Sequence, residues 1–243
     1  MCAWRRSLKV FHKVSRVMNK AQIENPELVP VFLTLTLRNV AGKELSKTLD
    51  LILSGWKRLC NNSKTRFRRT VSGWFRALEV TYNATSDTFH PHVHAILLVE
   101  KSYFKRGSKE YITAAEWVQM WRKALCLDYD PVCYVQRVKG RKALNEVSKY
   151  TVKDTDYIRR DAALMDKLVD TLSVALKGRR LYSFGGVLKD LARSLDVVEP
   201  DTGDLVTIGD ETVRPDVATL LLIYRWSFGF KNYILVKVES ERE

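Results

Sequence analysis

The amino-acid sequence predicts an α+β fold, with a central, largely antiparallel β-sheet flanked by helices. Three observations carry that expectation. Strand-like and helix-like segments interleave without a regular β-α-β alternation. Two strand-like segments stand either side of one short turn region, which makes them a local hairpin. The chain of 243 residues, 46% hydrophobic and 28% charged, is long enough for a substantial core and too apolar for a disordered polymer. It shows no internal repeat and no low-complexity linker.

From Arg5 to about Ile23, Leu8, Phe11, Val14 and Met18 recur at steps of three and four, an amphipathic helix. "LVPVFLTLTLRNV" (28–40) is aliphatic and β-branched, a strand expected to start after Pro30. Leu45, Leu49, Ile52, Trp56 and Leu59 then give a second helix with one apolar face. Trp74 to Tyr82 reads as a strand with Phe75, Ala77, Glu79 and Thr81 on one side. "NATSDT" (83–88) is the turn, and a partner strand runs from about His92 to Val99. Thr113 with Glu116 resembles a capping box that opens a helix bearing Trp117, Val118 and Trp121. "PVCYVQRV" (131–138) is a further strand, followed by a helix from about Lys142 through Tyr150. The next helix, Ile158 to Leu176, is stopped by Gly178. A short hairpin around Thr202–Gly203 and two late strands, "LLLIYRW" and "NYILVKV", complete the chain.

Charge narrows the function. Forty-one Lys and Arg against 28 Asp and Glu leave +13, concentrated in "WRRSLKVFHKVSRVMNK", "KTRFRRT" (64–70), "QRVKGRK" (136–142) and "KGRR" (177–180). Such stripes attract a polyanion, of which nucleic acid is the commonest. Arg5, Arg6, Arg66, Arg68, Arg69, Arg141 and Lys142 are the candidate DNA contacts. No apolar run reaches the length of a membrane span, and the basic N-terminus lacks a signal-peptide core, so the expected location is cytoplasmic and no membrane partner is implied. The cysteines Cys2, Cys60, Cys126 and Cys133 form no C-x-x-C pair and read as reduced thiols, three of them packed in the core.

Three of the chain's four histidines, His90, His92 and His94, fall within "TFHPHVHAILLVE". On a strand, His92 and His94 share a face about 7 Å apart, close enough to ligate one ion if a third group converges. Glu79 on the partner strand is that group, expected roughly opposite His94 if Asn83 faces His90. A carboxylate buried beside two imidazoles is costly without a compensating cation. H-x-H alone is more often the mark of a surface or satisfied core histidine pair than of a metal site, and Pro91 places His90 in the turn as readily as on the strand.

A second constellation lies in "LNEVSKYTVKDTDY" (144–157), where Glu146, Tyr150, Lys153 and Tyr157 form one helical stripe. A carboxylate, a phenol and an ammonium on one face suit phosphate chemistry, provided a nearby cation or base lowers the barrier to ionising the phenol. The same stripe also fits a plain solvent-facing surface.

Together these segments resemble the HUH endonucleases, and more narrowly the rolling-circle replication initiators of small bacterial plasmids. "FLTLT" (32–36) is similar to the first family motif, "HPHVHAILL" (90–98) to the second and "EVSKYTVKDTDY" (146–157) to the third, with its Y-x-x-K nucleophile pattern. "RALEVTYN" (76–83) resembles the segment preceding the histidines, and "SFGGVLKDL" (183–191) adds weaker support. The likeness spans about residues 2 to 160. It implies the RRM-like sheet of that class, with residues 1–160 as a nicking core carrying a basic N-terminal helix. Residues 161–243 would then complete the same domain or form a small DNA-recognition appendage.

The resemblance further implies that His92, His94 and Glu79 hold a divalent cation, manganese or magnesium. Tyr150 would attack origin DNA, single-stranded or extruded as a hairpin, giving a 5′-phosphotyrosyl link and a free 3′-OH. Lys153 would neutralise developing charge, and Glu146, one turn before the tyrosine, would activate water for termination; Tyr157 is the alternative second nucleophile. A host polymerase and helicase are the implied protein partners. Related chains carry a cysteine-containing stretch ahead of the segment resembling "CAWRRSLK", which leaves Cys2 as either a remaining ligand or an inert thiol. Trp4, Trp74, Tyr82 and Phe89 are candidate base-stacking residues, each equally suited to the core. Alternative readings are an HUH relaxase or transposase, or a non-catalytic DNA-binding protein with a structural metal.

Overall fold

A computed structural model of the chain describes residues 3–138, 162–195, 220–227 and 232–240. Two compact units are present, Met1–Glu199 and Pro200–Glu243. In the first, five strands form one antiparallel sheet: β1 (Leu28–Thr36), β2 (Val71–Asn83), β3 (Thr88–Glu100), β4 (Cys133–Arg137) and β5 (Tyr182–Gly186). They lie in the order β4-β1-β3-β2-β5, so β3, which carries the histidines, is central. The predicted α+β class, with its antiparallel sheet and flanking helices, is what the chain adopts.

Strand alternation sends successive side chains to opposite faces, and both faces of this sheet are covered. On one face Val93, Ala95, Leu97 and Val99 of β3 join Val31, Leu33 and Leu35 of β1 and Leu78 and Val80 of β2. Helix α2 (Gly42–Asn61) packs there through the periodic Leu45, Leu49, Ile52, Trp56 and Leu59 foreseen from the sequence. Short α3 (Arg66–Thr70), α4 (Ala114–Leu125) and α5 (Ala162–Leu176) complete that layer with Phe67, Trp117, Trp121 and Leu168. The opposite face carries Ile96, Leu98, Phe75, Ala77 and Phe184 under α1 (Ala3–Glu24) and α6 (Val187–Ser194). In α1 the buried stripe is Val14, Val17, Met18 and Ala21, at the spacing of one helical face.

Several boundaries differ from expectation for clear reasons. β1 begins at Leu28, with Pro30 inside the strand, where its carbonyl accepts from Val138 N–H at 3.3 Å and no donor of its own is needed. β3 begins at Thr88, so His90 and Pro91 lie on the strand, opposite Thr81 and Val80, and His90 is not in the turn. The hairpin register is set by the loop Ala84–Asp87, with Asp87 in the left-handed region at φ 50°. β5 and α6 were not foreseen as elements, because five residues ending in Gly185–Gly186 carry too little periodicity to show. The capping box of Thr113 and Glu116 is present with both reciprocal bonds, and Gly178 follows α5 at φ 69°.

Cys60 and Cys133 are half-buried, burial pushing each thiol up to about 12, while Cys126 is exposed; the three are free thiols. Of these three, Cys60 and Cys133 pack against the core, and Cys2 lies outside the described residues. In the second unit, β6 (Leu220–Ser227) and β7 (Asn232–Ser240) pair antiparallel as the two predicted late strands. The expected helix over 142–150 and the hairpin around Thr202–Gly203 lie outside the described residues.

Candidate metal centre

The histidines extend an apolar row. On β3 the positions 98, 96, 94, 92 and 90 share one face, reading Leu, Ile, His, His and His. Leu98 and Ile96 pack beneath α1 and α6, and the row then turns polar toward the hairpin end. β2 runs alongside with Ala77 opposite His94 and Glu79 opposite His92. Glu79 thus faces His92, one alternation away from the His94 pairing expected from the sequence, and it still reaches both rings.

The three side chains are nearly sealed from water, Glu79 at 7%, His92 at 8% and His94 at 6% exposure. A single carboxylate oxygen, Glu79 Oε2, lies 2.8 Å from His92 Nε2 and 2.7 Å from His94 Nε2. The far nitrogens are also engaged. His92 Nδ1 donates to the His90 carbonyl at 3.1 Å, which places the proton of the neutral ring there. His94 Nδ1 lies 3.0 Å from Thr34 Oγ1 on β1, and its ring stacks on Phe32 at 5.6 Å between centroids. With its Nδ1 protonated, the neutral His92 ring presents an Nε2 lone pair toward the carboxylate, and the Thr34 contact orients the His94 ring so that its Nε2 faces the same oxygen.

Three electron-rich atoms converging in a buried space repel one another unless a cation lies between them. Hydrogen bonds donated to Glu79 Oε2 by the two Nε2 atoms would be one way to meet that need. Burial pushes the Glu79 carboxyl up, but hydrogen bonds from His92 and then His94 outweigh it and bring the group to about 2. Glu79 Oε1 is buried with no hydrogen-bond partner, which protons on the imidazoles leave unresolved. A metal ion between the three side chains would resolve both problems. The ligand atoms of Glu79, His92 and His94 lie within 4.8 Å of one another, and the set of two imidazoles and a carboxylate fits a divalent ion.

The other residues singled out from the sequence are distributed differently. His90 is half-buried on the same face, its ring 5.2 Å from that of His92; burial, then the neighbouring His92, holds its pKa below the usual value. Arg66 is committed to the protein, bonding Glu116, the Lys109 carbonyl and, at 2.8 Å, the Tyr111 carbonyl. Arg68 and Arg69 are exposed on α3, at the end of β2 remote from Glu79. Arg5 and Arg6 lie on α1. Arg141, Lys142, Glu146, Tyr150, Lys153 and Tyr157 lie outside the described residues. Of the aromatics, Phe89 is buried, Trp74 packs edge-on against Trp56, and the Tyr82 hydroxyl donates to Asp87 Oδ1 at 2.7 Å. Thr34 escaped the sequence reading. Its signal was a hydroxyl at alternate positions of an aliphatic strand, Thr34 and Thr36 in "FLTLT".

The family model described as "Replication protein" matches residues 1–234. A "Protein rep" of Bacillus amyloliquefaciens is 38% identical over 256 residues, covering 97% of this chain and 74% of that protein. A "Replication protein" of Staphylococcus aureus is 34% identical over 221 residues, covering 87% of this chain and 92% of that protein. A "Protein rep" of Lactiplantibacillus plantarum is 33% identical, covering 97% and 77% respectively. No solved structure matches the chain at a significant level. Matched over residues 1–234 by one family's model and over most of its length by relatives from several bacteria, the chain belongs to the replication-protein family.

Proposed function

We propose that the protein initiates rolling-circle replication of a plasmid by nicking one strand of the origin DNA. The observation that carries this reading is the convergence of His92 and His94 on one buried oxygen of Glu79, with Glu79 Oε1 left without a partner. Membership of a replication-protein family supplies the biological setting. Those three residues would hold a divalent cation, manganese or magnesium, which when bound would supply a Lewis acid for the scissile phosphate.

The chain's own groups do the rest. The His90 carbonyl holds the His92 ring in the tautomer that leaves Nε2 free, and Thr34 holds the His94 ring with Nε2 turned toward Glu79. The Tyr150 phenol oxygen forms a bond to phosphorus, its proton passing to a nearby base, while the bond to the 3′-oxygen breaks and that oxygen gains a proton. The products are a 5′-phosphotyrosyl link and a 3′-OH. Lys153 neutralises charge developing on the phosphate, and Glu146 activates water for the terminating cleavage. Arg5, Arg6, Arg68, Arg69, Arg141 and Lys142 contribute phosphate contacts along the bound DNA.

Single-stranded origin DNA incubated with the protein and manganese tests this. The expected result is a covalent adduct that survives denaturing electrophoresis and vanishes in Tyr150→Phe while DNA binding persists. An adduct that persists in Tyr150→Phe removes Tyr150 as nucleophile, and no adduct with the wild-type protein overturns the nicking reading. Glu146→Ala should retain the first nick and accumulate adduct; unchanged release removes its role.

A further inference from the structure

The metal-bearing face of the sheet is covered unevenly. On the β3, β2 and β5 side it lies beneath α1 and α6, and His94 and Glu79 are buried. Toward the β4 edge it opens. Phe32, Thr34 and Thr36 of β1 are half-exposed, and Gln136 of β4 is exposed. The cross-strand row Tyr134–Thr34–His94 runs from that edge to a metal ligand, and residues directly opposite in an antiparallel ladder point to the same face. Tyr134 is 55% exposed, and Val132, which continues the alternation one position before the strand, is 70% exposed.

We propose that Tyr134 is a stacking platform for an unpaired base of the DNA strand whose phosphate reaches the Glu79–His92–His94 site. The proposal rests on the DNA-nicking reading of that site. Two strand spacings separate Tyr134 from His94, about 10 Å, within reach of a neighbouring nucleotide. Phe32 lies diagonally between them, opposite Gln136 and stacked on His94, so a flat surface leads inward from the edge.

Charge selects the occupant. Arg38 is exposed just beyond β1, its guanidinium 3.7 Å from the centre of the Tyr129 ring. The whole chain carries +13. That field draws in a polyanion and repels a second copy of the same chain at this edge. An exposed aromatic on a strongly cationic protein suits a single strand, because unpaired bases offer free π-faces and duplex bases do not. Trp74 and Phe89, considered for stacking from the sequence, are occupied in the core.

The test is binding of a short, fluorescein-labelled, mixed-sequence single-stranded oligonucleotide, with its matching duplex and manganese titrations alongside. Tyr134→Ala should weaken single-strand binding about ten- to hundredfold. Tyr134→Phe and Tyr134→Trp should restore it, and duplex and manganese affinities should stay unchanged. Equal single-strand binding by Tyr134→Ala and wild type overturns the proposal. So does loss in Tyr134→Phe equal to that in Tyr134→Ala, which would assign the effect to the hydroxyl. Sedimentation showing a wild-type dimer that Tyr134→Ala dissociates would make this edge a protein interface and also overturn it. The binding readout needs no cleavage, so failure of the covalent-adduct assay with intact stacking would remove the nicking chemistry alone.

Discussion

At the scale of single residues, the centre is built by orienting groups as much as by ligands. His94 comes from β3 and Thr34 from β1, 60 positions apart in sequence, and their 3.0 Å contact settles which ring nitrogen faces Glu79. Removing such a partner costs roughly 10- to 100-fold in metal affinity. Thr34→Val, which keeps the shape and loses the hydroxyl, should therefore weaken manganese binding by that factor in a calorimetric titration. Unchanged affinity would leave Thr34 as a packing residue only. His92→Ala should abolish binding, and retention of metal by Glu79→Ala would reduce the carboxylate to a partner of the histidines. Arg66 gives the opposite lesson. Its place in "KTRFRRT" suggested a phosphate contact, yet its guanidinium is tied to Glu116 and two loop carbonyls. A basic motif records charge and is silent about partners.

At the scale of elements, two local devices hold the sheet's periphery. β5 ends on Gly186, at φ 56° and ψ −145°, and a Cβ there would lie 2.2 Å from the Ser72 carbonyl oxygen. That backbone conformation is open only to glycine, and forcing it costs on the order of 1–3 kcal/mol before the clash is added. Gly186→Ala should lower the urea midpoint accordingly, and a wild-type midpoint would show that β5 can shift without loss. The second device is the α4 cap. Backbone hydrogen bonding from Thr113, then the Thr113 hydroxyl and Arg66, hold the Glu116 carboxyl below its usual range despite slight desolvation. A carboxyl lowered in the folded state stabilises above the unfolded-state pKa, and that contribution disappears as pH falls through the folded value. Glu116→Gln should flatten the acid limb of stability against pH and leave the neutral region little changed in slope. Thr113→Ala should cost about 1 kcal/mol at neutral pH by thermal or chemical denaturation.

At the scale of the molecule, every residue of the candidate metal centre comes from β1, β2 and β3, inside Met1–Glu199. A chain ending at Glu199 should hold manganese as tightly as the full protein; a loss of affinity would give Pro200–Glu243 a part in the centre. Much of this was legible beforehand because the sheet's side-chain period is 2 and the helix period is 3.6. Alternation alone placed His92 and His94 on one face, and the step pattern of Leu45 to Leu59 marked α2. A hairpin was legible, but its register was not. Counting from the turn put Glu79 across from His94, and the loop Ala84–Asp87 shifts it to His92. Glu79 was foreseen and Thr34 was not, because hairpin neighbours are close in sequence whereas β1 joins β3 only through the order β4-β1-β3-β2-β5. The same order left Tyr134 on the open edge. Local patterning determined which residues can share a face; long-range strand pairing, driven by burial of two apolar layers, decided which of them meet.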